Sequence, residues 1–156
     1  MNMHTRPHTA QSFPSNAYAE RAPDCEGRDW SEVGRELAAL FAPRAERWDR
    51  DRVYCWDNIA DLKEAGVMGM TLPTSLGGQG ASWRDVCLVI EEVAKACTLT
   101  ARIVVEANMG AVSAVMAYGS PAQKRLAARY VLAGDKPAIC ITEPYAGSAA
   151  TQMQTT

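Results

Sequence analysis

Residues 138–148 read AICITEPYAGS. Ala138, Ile139, Cys140 and Ile141 form an apolar run flanked by Pro137 and Pro144. A run this short, rich in β-branched residues and bounded by breakers, predicts a buried strand. Thr142 and Glu143 leave that strand, and Pro144, Ala146, Gly147 and Ser148 follow as a turn. Its glycine permits close backbone approach. Amides and hydroxyls exposed where a strand ends suit a phosphate or the polar edge of a ring. The residues alone also admit a strand followed by a tight turn with no ligand.

Working outward, Ser120-Pro121-x-Gln123 carries a helix start: a serine cap, proline in the first turn and glutamine at the capping-box position. That helix is expected to run to Leu132 and end at Gly134, with Asp135 and Lys136 leading into the strand. Residues 100–118 are nearly apolar all round and predict one helix buried in a bundle. Glu106 and Asn108 interrupt it. A carboxylate there needs an ionic partner or a wet cavity. Ser82 with Asp85 opens another helix, whose Trp83, Val86, Val89, Ile90, Val93 and Cys97 recur at helical spacing. Glu91 and Glu92 point about 100° apart on it, so they read as a solvated or ion-paired face rather than a carboxylate dyad. Residues 72–81 form a Pro/Gly loop. A short helix from Trp56 to Ala65, with Trp56, Ile59, Ala60 and Leu62 mostly inward, closes at Gly66. Asp29 caps a first helix through Val33, Leu37 and Leu40, which Pro43 interrupts or restarts.

The 156 residues suffice for one domain with a real core, and 47% apolar with 22% charged residues is ordinary for a globular chain. A net charge of −2 offers no electrostatic footprint for nucleic acid or an anionic membrane surface. No apolar run is expected to span a membrane, and the first residues lack the apolar core of a signal peptide. The five cysteines are odd in number with no C-x-x-C, which argues against a metal or disulfide framework and for a cytoplasmic location. Cys87, Cys97 and Cys140 sit in apolar company and read as buried filler. His4 and His8 lie in a polar tail, so the folded part holds no Ser/His/Asp or Cys/His constellation and a hydrolase is disfavoured.

Several segments resemble, in order and spacing, the acyl-CoA dehydrogenase family. TEP-x-AGS at 142–148 is similar to its flavin-binding signature. Pro43-Arg44-Ala45-Glu46-Arg47-Trp48-Asp49 resembles its P-x-A-x-x-x-D, and Leu62-Lys63-Glu64-Ala65-Gly66-Val67 its L-x-E-x-G-hydrophobic segment. Pro73 with Gly77-Gly78-Gln79-Gly80 resembles its P-x-x-x-GG-x-G loop. Glu91-Glu92, Gly119-Ser120 with Gln123-Lys124, and Leu132-Ala133-Gly134 fall at the intervals it expects. Two positions depart from the pattern: Tyr145 stands where a small or acidic residue is common, and Ala149 where the family usually has Asp.

The resemblance implies a mainly α fold: a tail over residues 1–28, a helical bundle over 29–134, and at 135–156 the first strand of a following β-domain. It implies FAD, with Ile141 and Thr142 at the isoalloxazine ring and Gly147 and Ser148 near the pyrophosphate and the thioester. Hydrogen bonds at the ring edge tune the flavin, which carries the hydride chemistry. Glu106 falls where some members place a glutamate near the end of the acyl pocket. An acyl-CoA or acyl-carrier thioester is the implied substrate, an electron-transferring flavoprotein the onward acceptor, and a homodimer or homotetramer the assembly. The implied reaction is α,β-desaturation. The catalytic base is expected beyond Thr156, so the chain reads as the N-terminal portion of a longer enzyme and inactive alone. The same architecture also hosts flavin monooxygenases, desulfinases and nitroalkane oxidases. A helical interaction module without cofactor is the rival from another class.

Overall fold

The structure, a computed structural model, describes residues 28–140, 142–144, 147–148, 152 and 154. The tail with His4, His8 and Cys25, together with Ile141, Tyr145 and Ala149, lies outside the described residues. The described chain is a helical bundle in the order α1 (Trp30–Asp51), α2 (Trp56–Glu64), α3 (Trp83–Ala96), α4 (Thr98–Asn108), α5 (Ala111–Tyr118) and α6 (Pro121–Ala133). A short 3-10 turn, Thr74–Leu76, lies between α2 and α3.

The helix starts follow the capping chemistry. Asp29 accepts from the backbone N–H of Ser31 and Glu32. Ser82 with Asp85 and Ser120 with Gln123 each form a full capping box, satisfying N–H groups that a first turn leaves orphaned. Gly134 closes α6 at φ 104°, a conformation that an L side chain adopts only with strain. A Cβ there would also meet Lys63 Cδ at 2.9 Å and Ile59 Cγ2 at 3.2 Å, so the end of α6 rests on α2.

The core lies between α1, α3 and α4, with α2 closing one side. Leu37 and Phe41 of α1 share it with Val86, Val89 and Val93 of α3 and with Ile103, Val104 and Ala107 of α4. After α2 the chain dives inward, burying Val67, Met68, Met70 and Leu72. Asn108, buried at the end of α4, makes that entry tolerable. Its amide donates to the carbonyls of Val67 and Val104, both at 3.0 Å, and accepts from Thr71 N at 3.2 Å. The Thr71 hydroxyl donates in turn to the Asn108 carbonyl at 3.1 Å. Buried backbone groups without such partners are costly.

Five expectations are corrected. Helix α1 runs unbroken through Pro43. The carbonyl that loses its partner belongs to Ala39, which is exposed and open to water, while Arg44, Ala45 and Trp48 pack beyond the proline. Residues 100–118 are two helices rather than one. The chain turns at Gly110, whose φ of 59° suits glycine. Thr98–Tyr118 is long and apolar enough to cross a membrane by length and composition, contrary to expectation, but the turn divides it and Ile103, Val104, Ala107 and Val112 lie in the core. Trp56, at the start of α2, is 67% exposed, and Ala60 is also exposed; Trp83 and Leu40 are about half exposed. Cys87 and Cys140 are exposed, not buried filler. The strand expected over 138–141 is not shown, since Ile141 lies outside the described residues. Residues 138–140 have no regular structure, and no neighbouring strand among the described residues offers a ladder.

Helices α1 and α3 cross so closely that a Cβ on Gly34 would lie 2.9 Å from Glu92 Cβ and 3.2 Å from Val89 Cα. Gly34→Val forces the two helices apart and is expected to cost about 2 kcal/mol or more of stability. Thermal melting followed by circular dichroism checks this, and an unchanged midpoint would refute the close crossing.

Candidate functional site

The site candidates gather where α4 ends and the chain leaves α6. The Schellman-type end of α6 hands over at Asp135, whose N–H donates to the Tyr130 carbonyl at 3.0 Å. The next residue, Lys136, turns back onto the bundle. Its Nζ lies 3.0 Å from Glu106 Oε2, and the other Glu106 oxygen meets Arg102 Nε at 2.8 Å, one turn away on α4. Lys136 also stands over the Tyr54 ring, 4.9 Å from its centroid. Tyr54 is braced edge-on by Trp56 at 4.8 Å. Ile139 follows, its Cδ1 at 3.5 Å from where a Cβ on Gly110 would lie. Residues 135–140 therefore cross the turn between α4 and α5, held by side chains rather than by a backbone ladder.

The electrostatics follow from these contacts. Burial pushes the Glu106 carboxyl upward, but Lys136 and then Arg102 outweigh it and hold the group below the usual carboxylate range. Burial likewise opposes charge on Lys136, yet Tyr54 and Glu106 keep its ammonium above the usual lysine range. Glu106 thus makes the ionic pairings that a carboxylate in this helix requires.

A second polar chain links α1, α2 and α4, part-buried at Arg44 and buried from Asn58 to Cys97. Arg44 Nη1 donates to Asn58 Oδ1 at 3.2 Å and pairs with Asp61. Asn58 Nδ2 donates to Thr100 Oγ1 at 2.8 Å, and the Thr100 hydroxyl donates to Cys97 Sγ at 3.1 Å. Burial pushes the Cys55 thiol up, so Cys55 is not poised as a nucleophile. Glu91 and Glu92 both pair with Lys95, as an ion-paired face should.

The motif itself is described in part. Thr142, Gly147 and Ser148 are exposed, and a Cβ on Gly147 would meet nothing within 4 Å. Glu143 accepts from Gln154 N at 3.0 Å. The exposed hydroxyls of Thr142 and Ser148 and the unobstructed Gly147 are groups of the kind that a flavin's polar edge and phosphates require. Glu106 lies on α4, and Lys136 is its described contact on the segment that precedes Thr142. Lys136 and Tyr54 escaped the sequence reading because they pair across elements far apart in the chain. The i,i+4 spacing of Arg102 and Glu106 was a local signal that could have found that pair.

The family profile described as "Acyl-CoA dehydrogenase, N-terminal domain" matches residues 28–135. The chain is 57% identical over 129 residues to the 3-sulfinopropanoyl-CoA desulfinase of Paraburkholderia xenovorans, covering 82% of this chain and 33% of that protein. It is 32% identical over 131 residues to the acryloyl-CoA reductase (NADH) of Anaerotignum propionicum, covering 80% and 33%. A chain of the structure described as "Electron transferring flavoprotein of Acidaminococcus fermentans: Towards a mechanism of flavin-based electron bifurcation" superposes with a TM-score of 0.73 at 27% identity, covering 81% of this chain and 34% of that one. The chain spans about a third of the length of the curated relatives it matches.

The pairing of Glu106 sets a pH dependence. A carboxyl held low contributes stability that is complete above its ordinary range and is lost as pH falls through its lowered value. Lys136, held high, loses its contribution only as pH rises through its raised value. Glu106→Gln is therefore expected to cost up to about 1 kcal/mol near neutrality, since the pair is partly solvated. The difference from wild type should shrink toward about pH 3. Urea midpoints across pH measure it, and a difference independent of acid pH would contradict the pairing.

Proposed function

The chain belongs to the acyl-CoA dehydrogenase family, and from that premise we propose that it forms the N-terminal helical part of an FAD-dependent enzyme acting on an acyl-CoA thioester, with desulfination as its reaction. The observation that carries the proposal is the gap in identity: the chain is far more similar to desulfinases than to the reductase. The substrate on this reading is 3-sulfinopropanoyl-CoA or a close analogue. The C–S bond breaks, water supplies a proton to the carbon and an oxygen to the sulfur, and the products are the desulfinated acyl-CoA and sulfite. Electrons balance without an external acceptor.

Within that enzyme this chain's residues bind and orient. Thr142 offers its hydroxyl, and Ile141 its backbone, to the polar edge of the flavin ring. Gly147 lets the chain approach the pyrophosphate, and Ser148 stands near both the phosphates and the thioester. Glu106 lies toward the acyl end. When bound, FAD supplies an electron-poor ring held against the acyl carbons. A homodimer or homotetramer in the reducing cytosol is the proposed setting.

The second reading is α,β-desaturation, favoured by the broader family match. It differs in its electrons: two must leave the enzyme, so an acceptor such as an electron-transferring flavoprotein is required. The purified full enzyme is assayed with 3-sulfinopropanoyl-CoA for sulfite, and separately with saturated acyl-CoA thioesters and an artificial acceptor. Sulfite release without acceptor supports desulfination; acceptor-dependent turnover of saturated thioesters alone would replace it by desaturation.

Thr142→Val keeps the shape but removes the hydroxyl. It is expected to lower flavin content or shift the flavin's midpoint potential. Parent-like values for both would remove Thr142 from the cofactor site.

A further inference from the structure

We propose that Glu106 and Lys136 are positioning residues: an ionic latch that fixes residues 135–140 against the helical bundle and so sets how tightly the flavin is held. The inference rests on the reading of 142–148 as a flavin-binding turn, and it goes beyond that reading by assigning cofactor retention to a pair outside the turn.

Three observations carry it. Past the Asp135 N–H, which closes α6 on the Tyr130 carbonyl, residues 136–140 have no helical or strand structure to direct them. Their fastening comes from side chains: Lys136 to Glu106 at 3.0 Å, Lys136 over Tyr54 at 4.9 Å, and Ile139 against Gly110. The fastening is also prepared in advance. Arg102 holds the far oxygen of Glu106 at 2.8 Å, which orients the near one toward Lys136. The Lys136 and Glu106 side chains are only 25% and 31% exposed, so the pair is less screened than the more open pairs on α1 and α3. Lys136 comes after α6 has already closed at Gly134, and Thr142 lies six residues further on. The latch therefore restrains the connection more than it secures the bundle.

A merely structural ion pair would add a little stability and leave the cofactor untouched. The latch predicts a different split. In the full enzyme, Lys136→Met and Glu106→Gln should each weaken FAD binding by about 3- to 10-fold, and the double variant should be no weaker than the worse single, because both remove one interaction. Lys136→Arg, which still reaches the carboxylate, should restore near-parental binding. Helix melting in Lys136→Met should move by only a few degrees, about what a partly exposed pair supplies. FAD affinity is read by fluorescence titration of the apo-protein, and melting by circular dichroism on the same samples. Parental FAD affinity in Lys136→Met, additive losses in the double variant, or failure of Lys136→Arg to rescue would each overturn the latch while leaving the flavin reading intact. A parent enzyme that binds no FAD would overturn both.

Discussion

Asn108 is buried at the C-terminal end of α4, with its amide committed in three directions. The position is constrained from several sides. The helix must stop, because Gly110 turns the chain away from the α4 axis. The segment after α2 must enter the core, because Val67, Met68, Met70 and Leu72 fill it. Both requirements strand backbone groups away from water, where each unpaired one costs about 1–3 kcal/mol. A single side chain of the right length answers both. Aspartate could not donate to the Val67 and Val104 carbonyls, and leucine could satisfy nothing. The loop of 67–81, the end of α4 and the start of α5 are thereby fixed together, and residues 135–140 lie across that same junction.

The sequence spoke most clearly where structure is decided locally. Asp29, the Ser82–Asp85 and Ser120–Gln123 pairs, and Gly134 all act within a few residues of themselves, so their spacing was enough to read. The bundle class followed from the periodicity of Val86, Val89 and Val93 and from the apolar stretch around α4. What escaped was decided at a distance. Pro43 breaks helices by default, yet Trp48 and Arg44 have partners that keep α1 going. Trp56 and Cys87 look like core by composition and are left outside by the geometry of neighbouring helices. The strand at 138–141 depends on a sheet that the described residues do not contain. In the candidate site, the need of Glu106 for an ionic partner was legible, but Lys136 and Tyr54 were not, since their contacts exist only once α6 has been laid beside α2.

Several carboxylates of the bundle are paired: Glu106 with Lys136 and Arg102, Glu92 with Lys95 and Asp61 with Arg44, and burial pushes the Cys55 thiol away from ionisation. What the described bundle contributes is a packed helical wall from which residues 135–140 depart.

The turn at Gly110 has a consequence for the solvent that residues 98–118 suit. Drawn out as one helix, Thr98–Tyr118 would pass for a bilayer-spanning rod of about 30 Å. Split at 110, it becomes α4 of 11 residues and α5 of 8, rods of roughly 16 and 12 Å. Neither half reaches across the hydrocarbon thickness of a membrane, about 30 Å. The turn at Met109 and Gly110 thus divides a stretch whose composition lipid would accept into two lengths, each too short to span it.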